Sequence, residues 1–164
     1  MGTQKEKLIY FVEDNEMFAI PVKMGLEKMG YEVCYFHSGE EMFENFDLKP
    51  DVIVLDYMLE SEFASAKNGK EIILAVNEKK AGIPVVVLSS IEDVNEIDKL
   101  LKIGASDFIP KGENFFESLI LTLKYTVVVE RLNVEIGELR RYLRFYKYSF
   151  ILALGMLLVF LLWV

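Results

Sequence analysis

Asp51-Val52-Ile53-Val54-Leu55-Asp56-Tyr57-Met58 is the stretch whose reading decides the fold. Four apolar residues, three of them β-branched, run together without a helical period, which predicts a strand buried on both faces, as inside a parallel sheet. The run stops on Asp56. Open α/β sheets place their ligands at the carboxyl ends of the strands, so a carboxylate there is a candidate for chemistry. Taken alone, a strand-ending aspartate is more often the cap of a turn.

The flanking sequence repeats this punctuation. Upstream, Leu8-Ile9-Tyr10-Phe11-Val12 is a second buried run, ending on Glu13-Asp14. Phe18, Val22, Leu26 and Met29 recur with helical spacing, Pro21 is expected to kink that helix or delay its start, and Gly30 is its stop. Residues 32–36 read as a strand. Ser38 then caps a helix running to about Phe46, with Glu41 completing a capping box.

Downstream, a polar connection over 59–68 precedes a helix over 69–80 with Ile72, Ile73 and Val76 inward. Pro84 opens the run Val85-Val86-Val87-Leu88, which ends on Ser89-Ser90. An amphipathic helix over 93–103 closes on Gly104, a short strand over 107–111 ends on Lys111, and Asn114 begins a last helix with no clear stop. Strands alternating with helices five times predict a doubly wound α/β fold, a five-stranded parallel sheet with helices on both faces. Right-handed crossovers favour the order 2-1-3-4-5.

Charge is distributed unevenly. The chain of 164 residues is 52% hydrophobic with a net charge of −8. Residues 1–123 carry 12 basic and 23 acidic residues, net −11, and residues 124–164 carry 6 basic and 3 acidic, net +3. An acidic body argues against a general nucleic-acid binder. The single cysteine, Cys34, excludes an intramolecular disulfide framework and a cysteine-based zinc cluster, and its apolar neighbours suggest a buried structural thiol. His37 is the only histidine, which removes histidine-based metal sites and weakens nucleophile–histidine schemes. The polar stretch 1–7 has no apolar core, so no secretory signal is expected there.

Four strands thus end on polar groups: Glu13-Asp14, Asp56, Ser89 and Lys111. In a parallel sheet these ends converge on one edge, where carboxylates repel unless a hard cation lies between them. Mg²⁺ suits one or two carboxylates, waters and phosphate oxygens. A lysine adds a point charge for phosphate, and a serine adds a hydrogen bond. A carboxylate nucleophile, a divalent ion and a cation together make a site for taking a phosphoryl group onto Asp56.

Over residues 6–123 the sequence resembles the receiver domain of two-component response regulators. The resemblance rests on Phe11-Val12-Glu13-Asp14, on Leu55-Asp56, on Pro84 to Ser90, and on Gly104-Ala105-Ser106-Asp107-Phe108-Ile109-Pro110-Lys111. It implies a flavodoxin-like fold, Asp56 as phosphoacceptor, and Mg²⁺ held by Glu13, Asp14, Asp56 and the Met58 backbone carbonyl. It implies Lys111 as the phosphate-binding lysine, Ser89 as the switch hydroxyl and Phe108 as the switch aromatic. The partner so implied is a histidine kinase or phosphotransfer protein. Three features depart from the family pattern or bear on it. The segment between Asp56 and Gly69 is about five residues longer and lacks the usual proline. Gly112 stands where a proline commonly follows the lysine, putting the customary cis bond in doubt. Met58 and Ile91, two residues beyond Asp56 and Ser89, are apolar and cannot orient a water, which predicts a long-lived phosphoryl-aspartate unless both merely pack.

The tail follows another rule. Tyr125, Val129, Leu132, Ile136, Leu139, Leu143, Tyr146 and Phe150 alternate in steps of four and three, an a/d seam that predicts a helical stalk over 124–147, paired as a coiled coil in a homodimer. One long amphipathic helix lying on its own domain is the alternative. Residues 150–164 carry no charge, and with Tyr148 and Ser149 they make 17 residues. Such a helix is about 25 Å long, at the short end of what spans a bilayer. Arg140, Arg141, Arg144 and Lys147 precede it, while Tyr148 and Trp163 bracket it, as the positive-inside rule and interfacial anchoring require. A buried core helix or partner-docking tail is the competing reading.

The expectation is a receiver domain (1–123), a stalk (124–147) and a single-pass anchor (148–164) on the cytoplasmic face of the membrane. Such a protein accepts phosphate and signals through protein contacts without binding nucleic acid or turning over a separate substrate. A membrane-tethered binding module that is never phosphorylated is the alternative. A haloacid dehalogenase-type phosphatase needs a second aspartate two residues on, where Met58 stands.

Overall fold

The computed structural model describes residues 7–46, 49–59, 68–79, 82–91 and 93–163, excepting the side chains at 127, 130, 131 and 134. The connection expected over 59–68 falls, but for its two end residues, outside the described residues. Five parallel strands, β1 (Lys7–Val12), β2 (Tyr31–Phe36), β3 (Val52–Asp56), β4 (Val85–Ser89) and β5 (Asp107–Pro110), form one sheet in the order β2-β1-β3-β4-β5. The helices are α1 (Glu16–Lys28), α2 (Gly39–Glu44), α3 (Gly69–Lys79), α4 (Val94–Lys102) and α5 (Phe115–Trp163). This is the doubly wound fold that the alternation predicts.

Strand composition follows position in the sheet. β3 and β4 are buried at every residue, and each is a run of four aliphatic residues closed by one polar residue. A strand covered on both faces has no solvent side to place polar residues on. The two-residue period divides the core. Tyr10, Val12, Ile53, Leu55, Val85 and Val87 pack with Ile72, Ile73 and Val76 of α3 and Leu100 of α4. Ile9, Phe11, Val52, Val54, Val86 and Leu88 pack with Ala19, Val22 and Leu26 of α1 and Leu119 and Leu123 of α5.

Local signals set the helix ends. The Asn15 side chain accepts from the Met17 and Phe18 amides, so α1 starts at Glu16 despite Pro21. The missing Pro21 amide would have served the Met17 carbonyl, in an exposed first turn where water replaces it. Met29, expected inward, is 51% exposed: it lies past the last helical residue, where the period no longer aims side chains at the sheet. Ser38 caps α2 by accepting from Glu41 N, but the Glu41 carboxylate reaches back to the His37 amide, one residue beyond the Ser38 amide that a standard capping box uses. Cys34, expected to be buried, is only half-buried, because β2 is an edge strand. Gly104 ends α4 at φ +108°, and a Cβ there would lie 2.1 Å from Asn77 Nδ2, which donates to the Ile103 carbonyl. No cis peptide bond occurs among the described residues, so the Lys111–Gly112 bond is trans.

The chain divides into two compact units, 1–127 and 128–164. The first holds the sheet. The described residues of the second are helical, and their described side chains are exposed except the half-buried Val129.

Candidate functional site

The carboxyl ends of β1, β3, β4 and β5 carry the polar residues singled out above. Glu13 follows β1 and is 1% exposed; Asp56 ends β3 and is 3% exposed; Asp14 is half-buried. One carboxylate oxygen from each lies within 4.8 Å of the others. Lys111 follows β5, its amide held by the Ser89 carbonyl at 2.8 Å. Its ammonium donates to Glu13 Oε2 at 2.7 Å and to Asp56 Oδ2 at 2.8 Å. The remaining Asp56 oxygen, Oδ1, accepts from the Met58 amide at 3.0 Å.

These groups come from chain positions up to 98 residues apart, and they are electrostatically unbalanced. Among the described residues, this cluster sets three carboxylates around the Lys111 ammonium. Burial pushes the Glu13 carboxyl up to about 7; the Lys111 hydrogen bond opposes that rise, and the charge of Asp56 adds to it. Burial works against the Lys111 ammonium, yet hydrogen bonds to Asp56 and Glu13 outweigh it and raise the lysine above its ordinary value. A cluster of hard oxygen donors with surplus negative charge, shielded from water, fits a small divalent cation such as Mg²⁺.

Ser89 is fully buried at the end of β4, and its hydroxyl accepts from the Ile91 amide at 3.2 Å. Phe108 is half-buried on β5 and packs against the core beneath α3 and α4. The site therefore joins Glu13, Asp14, Asp56 and Lys111 directly. Ser89 is the neighbouring strand end, and Phe108 stands apart in the core. Met58 is an exposed side chain and Ile91 a half-buried one.

Three contributors escaped the sequence reading. The Phe18 ring lies under the Lys111 ammonium, 4.3 Å from ring centroid to Nζ. A cation over an aromatic face is held by the ring quadrupole, so Phe18 restrains Lys111 from a side the carboxylates do not cover. Helical spacing marked Phe18 as a core residue, and nothing local told it apart from one. Tyr35, on β2, donates from its hydroxyl to the Glu13 carbonyl at 2.9 Å. The Asn15 amide donates to Glu13 Oε1 at 3.3 Å. A capping asparagine directly after an acidic pair was the one available signal for the last contact.

Comparison with known proteins gives the family and the fold. Residues 9–122 match the response regulator receiver domain family. The alkaline phosphatase synthesis transcriptional regulatory protein PhoP of Bacillus subtilis is 32% identical over 108 residues, covering 64% of this chain and 42% of that protein. The transcriptional regulatory protein TrcR of Mycobacterium tuberculosis is 33% identical over 117 residues, covering 71% and 43%. A response regulator of Streptococcus pneumoniae is 30% identical over 135 residues, covering 82% and 58%. The chain thus spans about half the length of the curated relatives it matches. Among solved structures, NtrX from Brucella abortus superposes with a TM-score of 0.73 at 22% identity, covering 81% of this chain and 30% of that one. A Francisella response regulator receiver domain gives 0.66 at 22%, covering 74% and 97%. At such identities the likeness carries the fold alone.

Proposed function

This chain belongs to the response regulator receiver domain family, and we propose that Asp56 is its phosphoacceptor, charged by a histidine kinase or phosphotransfer protein. The observation that carries the proposal is the Glu13–Lys111–Asp56 bridge at the mouth of the sheet. An Asp56 oxygen attacks phosphorus, the bond from phosphorus to the donor nitrogen breaks, and the donor leaves as a free imidazole once protonated. Lys111 exchanges its bond to Asp56 for one to a phosphoryl oxygen, meeting the charge that the transfer brings in. Glu13, Asp14, Asp56 and the Met58 carbonyl would hold Mg²⁺, which would supply positive charge beside the phosphoryl group. Ser89 serves as the switch hydroxyl by giving up its bond to the Ile91 amide, and Phe108, already half-buried, turns further inward. The chain acts as acceptor and turns over no separate substrate.

The finer reading keeps the three parts, 1–123, 124–147 and 148–164. The helix over 135–163 is long and apolar enough to cross a bilayer, and none of it is buried. Within it, the uncharged segment from Tyr148 follows Arg140, Arg141, Arg144 and Lys147 and carries Trp163 near its far end, so we assign 148–164 as an anchor that holds the receiver at the cytoplasmic face of the membrane. The stalk pairs two copies, and output runs through protein contacts. Several matched relatives are named transcriptional regulators. Here the acidic body, net −11, disfavours nucleic acid as partner.

Two experiments test this. With Mg²⁺ and acetyl phosphate, the full chain should acquire a base-labile acyl phosphate that Asp56→Asn lacks; no labelling from any donor would leave only a tethered binding module. Alkaline carbonate should fail to extract the full chain from membranes, and should extract a chain truncated after Arg144.

A further inference from the structure

Among its described residues, the second unit presents an exposed apolar seam. Leu132, Ile136, Leu139 and Leu143 are between 46% and 61% exposed on one continuous helix. A stripe of this kind on a water-facing helix requires a partner. The assignment of that partner rests on the homodimer reading above and specifies its geometry: we propose that the stalk is a two-stranded, parallel, in-register coiled coil formed with a second copy of this chain.

Three independent features lead there. With the seam as a and d, Val129 and Ile136 fall at a while Leu132 and Leu139 fall at d. β-branched residues at a with leucine at d favour two strands over three or four, because each geometry accepts the branch differently. The second feature is charge. The flanking g positions hold Val128, Glu135 and Tyr142, and the e positions hold Asn133, Arg140 and Lys147. Parallel, in-register pairing brings each g residue to the e residue five places on in the other helix. Glu135 then meets Arg140 of the second copy, and Tyr142 meets Lys147 of the second copy, an ion pair and a cation–aromatic contact, each made twice by symmetry. Antiparallel pairing sets e against e, which brings Arg140 and Lys147 into like-charge contact. The third feature is the apolar end. Residues 125–147 make a stalk about 35 Å long. Antiparallel pairing would place the two uncharged segments at opposite ends of it, where one bilayer cannot receive both. Parallel pairing puts them side by side.

The test uses the full chain in detergent micelles, with Cys34→Ser to remove the native thiol. Light scattering reads the number of copies, and oxidation with copper phenanthroline reads the geometry of Ile136→Cys, Leu139→Cys and the outward Arg144→Cys. Expected are a two-copy mass and efficient symmetric disulfides at 136 and 139, with little at 144. A two-copy mass without crosslinks at 136 and 139 overturns the parallel register while leaving the homodimer standing. A three-copy mass overturns the stoichiometry, and a single-copy mass overturns both this geometry and the homodimer. Glu135→Arg and Arg140→Glu should each weaken self-association about five- to tenfold, and the double exchange should restore it to within about twofold. Single exchanges without effect, or a double exchange that fails to restore, overturn the g-to-e pairing.

Discussion

The acidic site of the first unit and the seam of the second solve opposite problems. Glu13, Asp56 and Lys111 are charged groups that the fold takes out of water, so each must find its partner inside the molecule, and burial, with the charge of Asp56 adding to it, keeps the Glu13 carboxyl raised against the Lys111 hydrogen bond. Leu132, Ile136 and Leu139 are apolar groups left exposed on their own helix among the described residues. One region is short of a cation and the other short of a surface. Burial without neutralisation marks chemistry, and exposure without polarity marks assembly. Both deficits are read from the same quantity, the mismatch between a side chain and its surroundings.

That contrast can be broken most sharply by separating the units. Truncation after Val127 should abolish membrane association altogether while leaving the acetyl phosphate reaction within about twofold of the full chain. Loss of phosphorylation in the truncated protein would show that the site depends on the helical unit.

Next in size is the removal of the bridge. Lys111→Met strands Glu13 and Asp56 as buried carboxylates and should cost about 3 kcal/mol in urea denaturation without metal. Added Mg²⁺ should recover part of that loss, and equal loss with and without the ion would break the electrostatic account.

A smaller effect concerns pH. The Glu13 value of about 7 lies above its ordinary 4.5, so the folded protein keeps a proton that the unfolded chain releases. Its contribution to stability is full below about pH 4.5 and is lost as pH rises to about 7, so metal-free protein should weaken across that window. Glu13→Gln should flatten the profile, as should saturating Mg²⁺.

Phe18→Leu keeps the volume and removes the ring face. A loss of about 1 kcal/mol in holding Lys111 should slow phosphorylation about fivefold, with Phe18→Tyr close to the native rate. The Lys111 side-chain proton resonances should lose their ring-current shift in the leucine variant alone. The smallest expected change is in lifetime: Met58→Asn, which can orient a water, should shorten the phosphoryl-aspartate severalfold, measured as decay of label after donor removal. An unchanged lifetime would mean that Met58 merely packs.

By itself the sequence determined whatever is local or periodic. The order of strands and helices was legible because buried parallel strands must be apolar runs, as in Val52 to Leu55 and Val85 to Leu88. The cap at Ser38 was legible, and the a/d seam is a repeat that needs no fold to be seen. The acidic pair, Asp56, Ser89 and Lys111 stood out because polar residues at the ends of apolar runs are conspicuous. Only the tertiary structure decided what those ends do to one another: that Lys111 spans Glu13 and Asp56, that Phe18 lies beneath it, that Tyr35 holds the Glu13 carbonyl, that Met29 is exposed and that Cys34 is half-buried. The reason is physical. Helical and strand periods tell which side of an element faces in, while the meeting of residues 98 positions apart depends on how elements pack, and no local pattern carries that.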